Sequence, residues 1–157
     1  MIKAEPFGVY LHIPFCSSKC DYCAFATWTD REHLVASYLD ALQTEIAREV
    51  EGGMPAAGTV FVGGGTPTLV PPERLAEVIN SIPLAPDAEV TVECNPDDVT
   101  IDMLKTFRSS GVNRVSLGVQ SMSAHVLLSL GRTHDRENVA RAVAAIRESA
   151  MPSFNLD

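Results

Sequence analysis

Basic charge is scarce in this sequence: twelve Lys and Arg stand against twenty Asp and Glu, a formal net charge of −8 over 157 residues. Such a surface repels nucleic-acid phosphates and anionic lipid headgroups, which excludes nonspecific binding to either. Apolar residues are plentiful, at 46%, yet no run approaches the roughly 20 that span a bilayer. Low-complexity tracts and blocks of like charge are missing too. Cysteine is limited to four residues, and the start Met1-Ile-Lys-Ala-Glu-Pro6 carries no secretory signal. Both point to free thiols in a reducing compartment, the cytoplasm, rather than a disulfide framework.

Three of the four cysteines are concentrated in one place. Cys16, Cys20 and Cys23 lie at C-x3-C-x2-C spacing in Ile13-Pro-Phe-Cys-Ser-Ser-Lys-Cys-Asp-Tyr-Cys-Ala-Phe25, directly after an apolar strand-like run. Iron–sulfur clusters are normally held by four thiolates, so a three-Cys loop suits a [4Fe–4S] cluster whose fourth iron is free to bind another molecule. The alternative is a zinc site completed from afar. Its remaining ligand would have to be Cys94, inside an apolar run, or one of His12, His33, His125 and His134, which are scattered singly; structural zinc sites usually pair their ligands at close spacing.

The rest of the chain alternates two periods. Strands are expected over Phe7–Ile13, Thr59–Val62, Glu89–Cys94, Val112–Val119 and Phe154–Asp157. Between them, a helix from Asp30 carries Leu34, Tyr38, Leu42, Ile46 and Val50 on one face up to Gly52-Gly53, and another opens at Pro71-Pro72. A third, capped by Thr100, carries Ile101, Leu104 and Phe107 and ends at Gly111. A short helix over 123–130 and a longer one over 135–150, with Val139, Val143 and Ile146 inward, complete the set. This alternation predicts an α/β fold with a parallel sheet and its functional residues beyond the strands' C-terminal ends. Four to five β/α units are too few to close a barrel, so residues 1–157 read as the first part of a TIM-like barrel truncated at its C-terminus, with an exposed final edge.

Further polar and glycine motifs fall at those strand ends. Gly63-Gly-Gly-Thr-Pro-Thr68 has neither Walker nor G-x-G-x-x-G spacing; it is an ordinary tight turn or, given its place after the second strand, a ligand rim. Glu93, in Val92-Glu-Cys-Asn-Pro96, must be paired or bind something, either Arg114 in a salt bridge or a ribose diol. Gln120 and Asp157 end the fourth and fifth strands, and Arg132 follows the Gly131 helix stop, where it can grip a carboxylate bidentately. Cys94 points to the opposite side of its strand from Glu93 and reads as a buried structural thiol. His12, on the same face as Tyr10, reads as a packing or loop-ordering residue.

Six motifs in order, Tyr10-Leu-His-Ile-Pro-Phe-Cys-x3-Cys-x2-Cys23, Gly63-Gly-Gly-Thr-Pro-Thr68, Glu93-Cys-Asn-Pro96, Ser116-Leu-Gly-Val-Gln120, Gly131-Arg-Thr-His134 and Asn155-Leu-Asp157, resemble the radical S-adenosylmethionine (SAM) superfamily. They look most like its branch of oxygen-independent coproporphyrinogen III oxidases and HemW-type haem chaperones. The resemblance implies a partial radical SAM barrel in which Cys16, Cys20 and Cys23 ligate the cluster and SAM chelates the open iron. Gly64, Gly65 and Thr66 would contact the methionine part of SAM, Glu93, Gln120, Arg132 and Asp157 its ribose and carboxylate, and Tyr10 would lie nearby. The reduced cluster would cleave SAM to methionine and a 5′-deoxyadenosyl radical that abstracts hydrogen.

Within the branch, the oxidases carry a further Cys two positions after the third ligand and a longer segment before the barrel. Here that position is Phe25. The resemblance therefore favours a haem chaperone over oxidative decarboxylation of coproporphyrinogen, with haem or porphyrin as partner of the full-length protein and a reductant for the cluster. The oxidase, and a non-catalytic zinc or structural module, are the alternatives.

Overall fold

The structure, a computed structural model, describes residues 7–157. The Met1–Pro6 start, on which the expectation of a chain without a secretory leader rests, lies outside them. Five parallel strands, β1 (Gly8–Ile13), β2 (Ala57–Gly64), β3 (Leu84–Cys94), β4 (Arg114–Leu117) and β5 (Ser153–Leu156), pair in chain order. Helices α1 (Val35–Glu51), α2 (Pro72–Asn80), α3 (Ile101–Ser109), α4 (Ala124–Ser129) and α5 (Arg136–Glu148) run between them. No helix among the described residues is long and apolar enough to cross a membrane.

The two faces of the sheet have different chemistry because strand side chains alternate. Leu11, Val62, Val92, Val115 and Phe154 share one register row, and all but the half-buried Phe154 are almost wholly buried. They pack with Leu39, Leu75, Ile79, Leu104, Phe107 and Ile146 from the helices into a single core. The neighbouring rows turn Tyr10, His12, Phe61, Thr91, Glu93, Ser116 and Asn155 to the other face, which is polar and aromatic.

Helix ends follow local chemistry. The Thr100 hydroxyl accepts the Met103 N–H at 3.3 Å, and Gly111 with φ +92° ends the same segment. Asp135 accepts the N–H groups of Glu137 and Asn138 while Asn138 answers with its side-chain oxygen, a complete capping box. The expected stripe on α1 is displaced. A 3-10 turn occupies Glu32–Leu34, so Leu34 precedes the helix, and both Leu34 and Val50 are exposed while Leu39 and Ile46 form the buried contact. Strict i+4 spacing advances about 40° per step beyond whole turns, so a run of four steps leaves the face it began on.

Candidate cofactor site

Loops beyond the C-terminal ends of the strands meet in a cavity of about 190 Å³. Cys16, Cys20, Cys23, Gly64, Gly65, Thr66, Glu93, Gln120, Arg132 and Asp157 all line it. Tyr10 does not: its ring lies one layer below, stacked on Phe61 at 6.3 Å between centroids.

The cysteine loop is closed at its root. The Trp28 N–H donates to Pro14 O at 2.8 Å and the Cys16 N–H to Trp28 O at 3.1 Å, a short parallel bridge at Phe15 and Trp28. His12 ties the far end: its Nε2–H donates to Ala26 O at 2.9 Å, and its Nδ1 is hydrogen-bonded to the Tyr10 hydroxyl at 3.0 Å. His12 is thus the loop-ordering residue expected. Inside the loop, the Cys23 N–H donates to Cys20 O at 3.0 Å. All three thiols are free and half-buried. Thr66 Oγ1 donates to Cys16 Sγ and Arg132 Nη1 to Cys20 Sγ, each at 3.7 Å. Among the described residues, no three Cys, His, Asp or Glu side chains converge as a set able to hold a lone metal ion. Cys94 is buried, its Sγ donates to Val92 O, and burial pushes its pKa far up, which makes it an inert structural thiol.

The glycine run is demanded by the chain's own packing. The Gly65 N–H donates to Ile13 O and the Thr66 N–H to Phe15 O, both at 2.7 Å, so the end of β2 lies against the root of the cysteine loop. A Cβ on Gly65 would stand 2.5 Å from Phe15 O, and one on Gly64, where φ is +111°, would stand 2.4 Å from the His12 ring.

Polar groups at and just beyond the ends of β3, β4 and β5 line the same cavity as the glycines. Glu93 Oε2 accepts the Gly64 N–H at 3.1 Å. Burial raises the Glu93 carboxyl above its ordinary range; the Gly64 N–H opposes the shift and the Asp157 charge adds to it. Glu93 makes no salt bridge to Arg114, which sits two register rows lower on the same face, its guanidinium donating to Asn155 at 2.7 Å and Thr91 at 3.3 Å. Ser116 donates to Asp157, Asn155 donates to both Ser116 and Asp157, and the Gln120 N–H donates to Asp157 O at 2.6 Å. Gln120 holds φ +60°, a left-handed conformation uncommon for a residue with a side chain.

Arg132 reaches across the cavity from beyond α4. Nη2 donates to Gly118 O at 2.6 Å and approaches Asn95 Oδ1 at 3.5 Å, while Nε is buried and has no partner among the described residues. The loop after β3 braces the neighbouring loops: Thr68 donates to Asp98 at 2.7 Å and Thr133 to Asp97 at 2.6 Å. Burial raises the Asp98 carboxyl above its usual range, against the Thr68 bond. Ser116, Asn95 and Tyr22 also line the cavity and were missed from sequence. Ser116 had a legible signal, a polar residue on the same strand face as Arg114 within an apolar run.

The geometry has counterparts among known proteins. A family model described as the radical SAM superfamily matches residues 10–156. The heme chaperone HemW of Mycobacterium tuberculosis is 42% identical over 169 residues, spanning 99% of this chain and 42% of that protein. An oxygen-independent coproporphyrinogen III oxidase of Bradyrhizobium diazoefficiens is 38% identical over 96% of this chain and 35% of that protein. The solved structure of coproporphyrinogen III oxidase HemN from Escherichia coli is similar with a TM-score of 0.86 at 30% identity, over 97% of this chain and 36% of that one. The chain spans less than half the length of these relatives.

Proposed function

The chain belongs to the radical SAM superfamily, and from that premise we propose that residues 1–157 are the N-terminal part of a radical SAM core in a haem chaperone of HemW type. Membership implies a [4Fe–4S] cluster and SAM. One observation carries the site assignment: three free thiols occupy the same cavity as two strand-end carboxylates and a guanidinium with a buried, unpartnered Nε. The donor set fits both groups. A lone zinc ion with bonds of about 2.3 Å draws its sulfurs to within about 4 Å of one another. A cubane instead takes each thiolate on a different iron, which suits thiols that share a cavity without converging.

On this reading Cys16, Cys20 and Cys23 hold the cluster. The Gly64–Thr66 backbone runs along the methionine part of SAM, Glu93 and Asp157 accept from its ribose hydroxyls, and Gln120 lies beside them. Arg132 takes its carboxylate on the Nε side, because both Nη atoms already have partners. Tyr10 acts from below through His12. When bound, the two groups together supply a carbon radical able to abstract hydrogen. The protein orients them and keeps water from the site.

Haem or porphyrin is the proposed partner of the full-length protein. The chaperone reading rests on the 42% identity to HemW and on Phe25, which lines the cavity mouth where the oxidase pattern has a cysteine. The oxidase is the second reading, favoured by the likeness to the Bradyrhizobium and Escherichia coli enzymes.

Anaerobic reconstitution with iron and sulfide, followed by EPR of the reduced protein with and without SAM, tests the site. A [4Fe–4S] signal that shifts on adding SAM is expected, and each of Cys16→Ala, Cys20→Ala and Cys23→Ala should lose at least half of the bound iron. Protein that holds zinc and never iron would overturn the assignment. For the full-length protein, haem binding without anaerobic propionate decarboxylation is expected; decarboxylation would select the oxidase.

A further inference from the structure

We propose that Arg132 sets the reduction potential of the cluster by donating a charged hydrogen bond to Cys20, in addition to its part in holding SAM. The inference rests on the reading of Cys16, Cys20 and Cys23 as cluster ligands. Arg132 Nη1 lies 3.7 Å from Cys20 Sγ, although 112 positions separate the two residues in sequence. The guanidinium is held there by design of the fold rather than by chance of a flexible side chain. Nη2 is anchored on Gly118 O at 2.6 Å, and a Cβ on Gly118 would stand 3.0 Å from that same nitrogen, so the glycine leaves the room the guanidinium occupies. Gly131, with φ +68°, turns the chain just before Arg132, and the Asp21 backbone and carboxylate of the cysteine loop lie close against it. The cysteine loop and the Arg132 loop are therefore docked on each other at two points.

Charge gives the contact its consequence. An oxidised [4Fe–4S] core of charge +2 with three thiolates carries −1; one added electron takes the core to +1 and the whole to −2. A fixed cation beside a ligand sulfur stabilises the second state more than the first, and hydrogen bonds to cluster sulfurs are among the factors that set such potentials. Arginine keeps its charge at every working pH, so the effect is permanent. Thr66 makes the matching contact to Cys16 with a neutral hydroxyl at 3.7 Å and should contribute less.

The test is a potentiometric titration of the reconstituted protein without SAM, with dithionite as the one-electron reductant and EPR as the readout, beside an iron count for each variant. Arg132→Met should load iron as the wild type does and become about tenfold harder to reduce, which is about 59 mV for a one-electron couple. Arg132→Lys keeps the charge without the fork and should fall between the two; it also decides the matter if the Met variant does not fold. A fully loaded variant with an unchanged potential would overturn the inference and leave the site assignment standing. Wild-type protein that forms no cluster would overturn the assignment itself, and the inference with it.

Discussion

Glu93 shows how function and stability compete at one residue. Its carboxyl is half-buried, has a single backbone donor and faces Asp157, and its pKa is raised by burial first. The folded protein therefore holds this proton at a pH where the unfolded chain has released it. Unfolding free energy contributed by Glu93 is greatest below the ordinary glutamate range and declines as pH rises through the raised folded value. Glu93→Gln removes that decline. The stability gap between the variant and the wild type should widen from about pH 4 to about pH 7, read by urea denaturation, with the variant the more stable at neutral pH. The same variant should bind SAM at least tenfold more weakly in isothermal titration of the reconstituted protein, because a carboxylate accepts from a diol more strongly than an amide. Equal stability at both pH values would show that the buried charge costs nothing.

Elements were legible where they depend on local pattern and less so where they depend on neighbours. All five strands and five helices follow the alternation read from sequence, and the caps at Thr100 and Asp135 are where side-chain chemistry puts them. Lengths are where sequence and structure part. Strand β2 continues through Gly63 and Gly64 because His12 and Ile13 pair with them, and β3 begins at Leu84 because Ala57 supplies a partner across a register shift. Conversely β4 ends at Leu117, before Gly118 and the left-handed Gln120 turn the chain. The cysteines could be read from spacing alone, whereas the Ser116–Asn155–Asp157 contacts needed the β4–β5 register. Helix α5 depends on its cap: Asp135→Ala frees two N–H groups and should cost about 1 kcal/mol in urea denaturation, with no loss of bound iron in reconstituted protein.

Across the whole molecule, stability and chemistry occupy opposite faces of one sheet. The helix-covered face carries a continuous apolar core, and the other face carries the polar rows that rise into the cavity. Substitutions should separate accordingly. Phe107→Ala, at a fully buried position on α3, should destabilise the fold by about 3–5 kcal/mol. Ser116→Ala, on the other face, should remove one of the two side-chain donors that hold Asp157, costing about 1 kcal/mol of stability and weakening SAM binding by calorimetry.

The bridge at the root of the cysteine loop has an optical consequence. Trp28 is the single tryptophan of the sequence, and its backbone is bonded to Pro14 and Cys16, with the indole half in solvent. Its emission thus comes from one place, beside the first thiol. An iron–sulfur chromophore assembled on that loop would absorb where indole emits and quench it, so fluorescence should fall as iron is loaded and return when a chelator strips it.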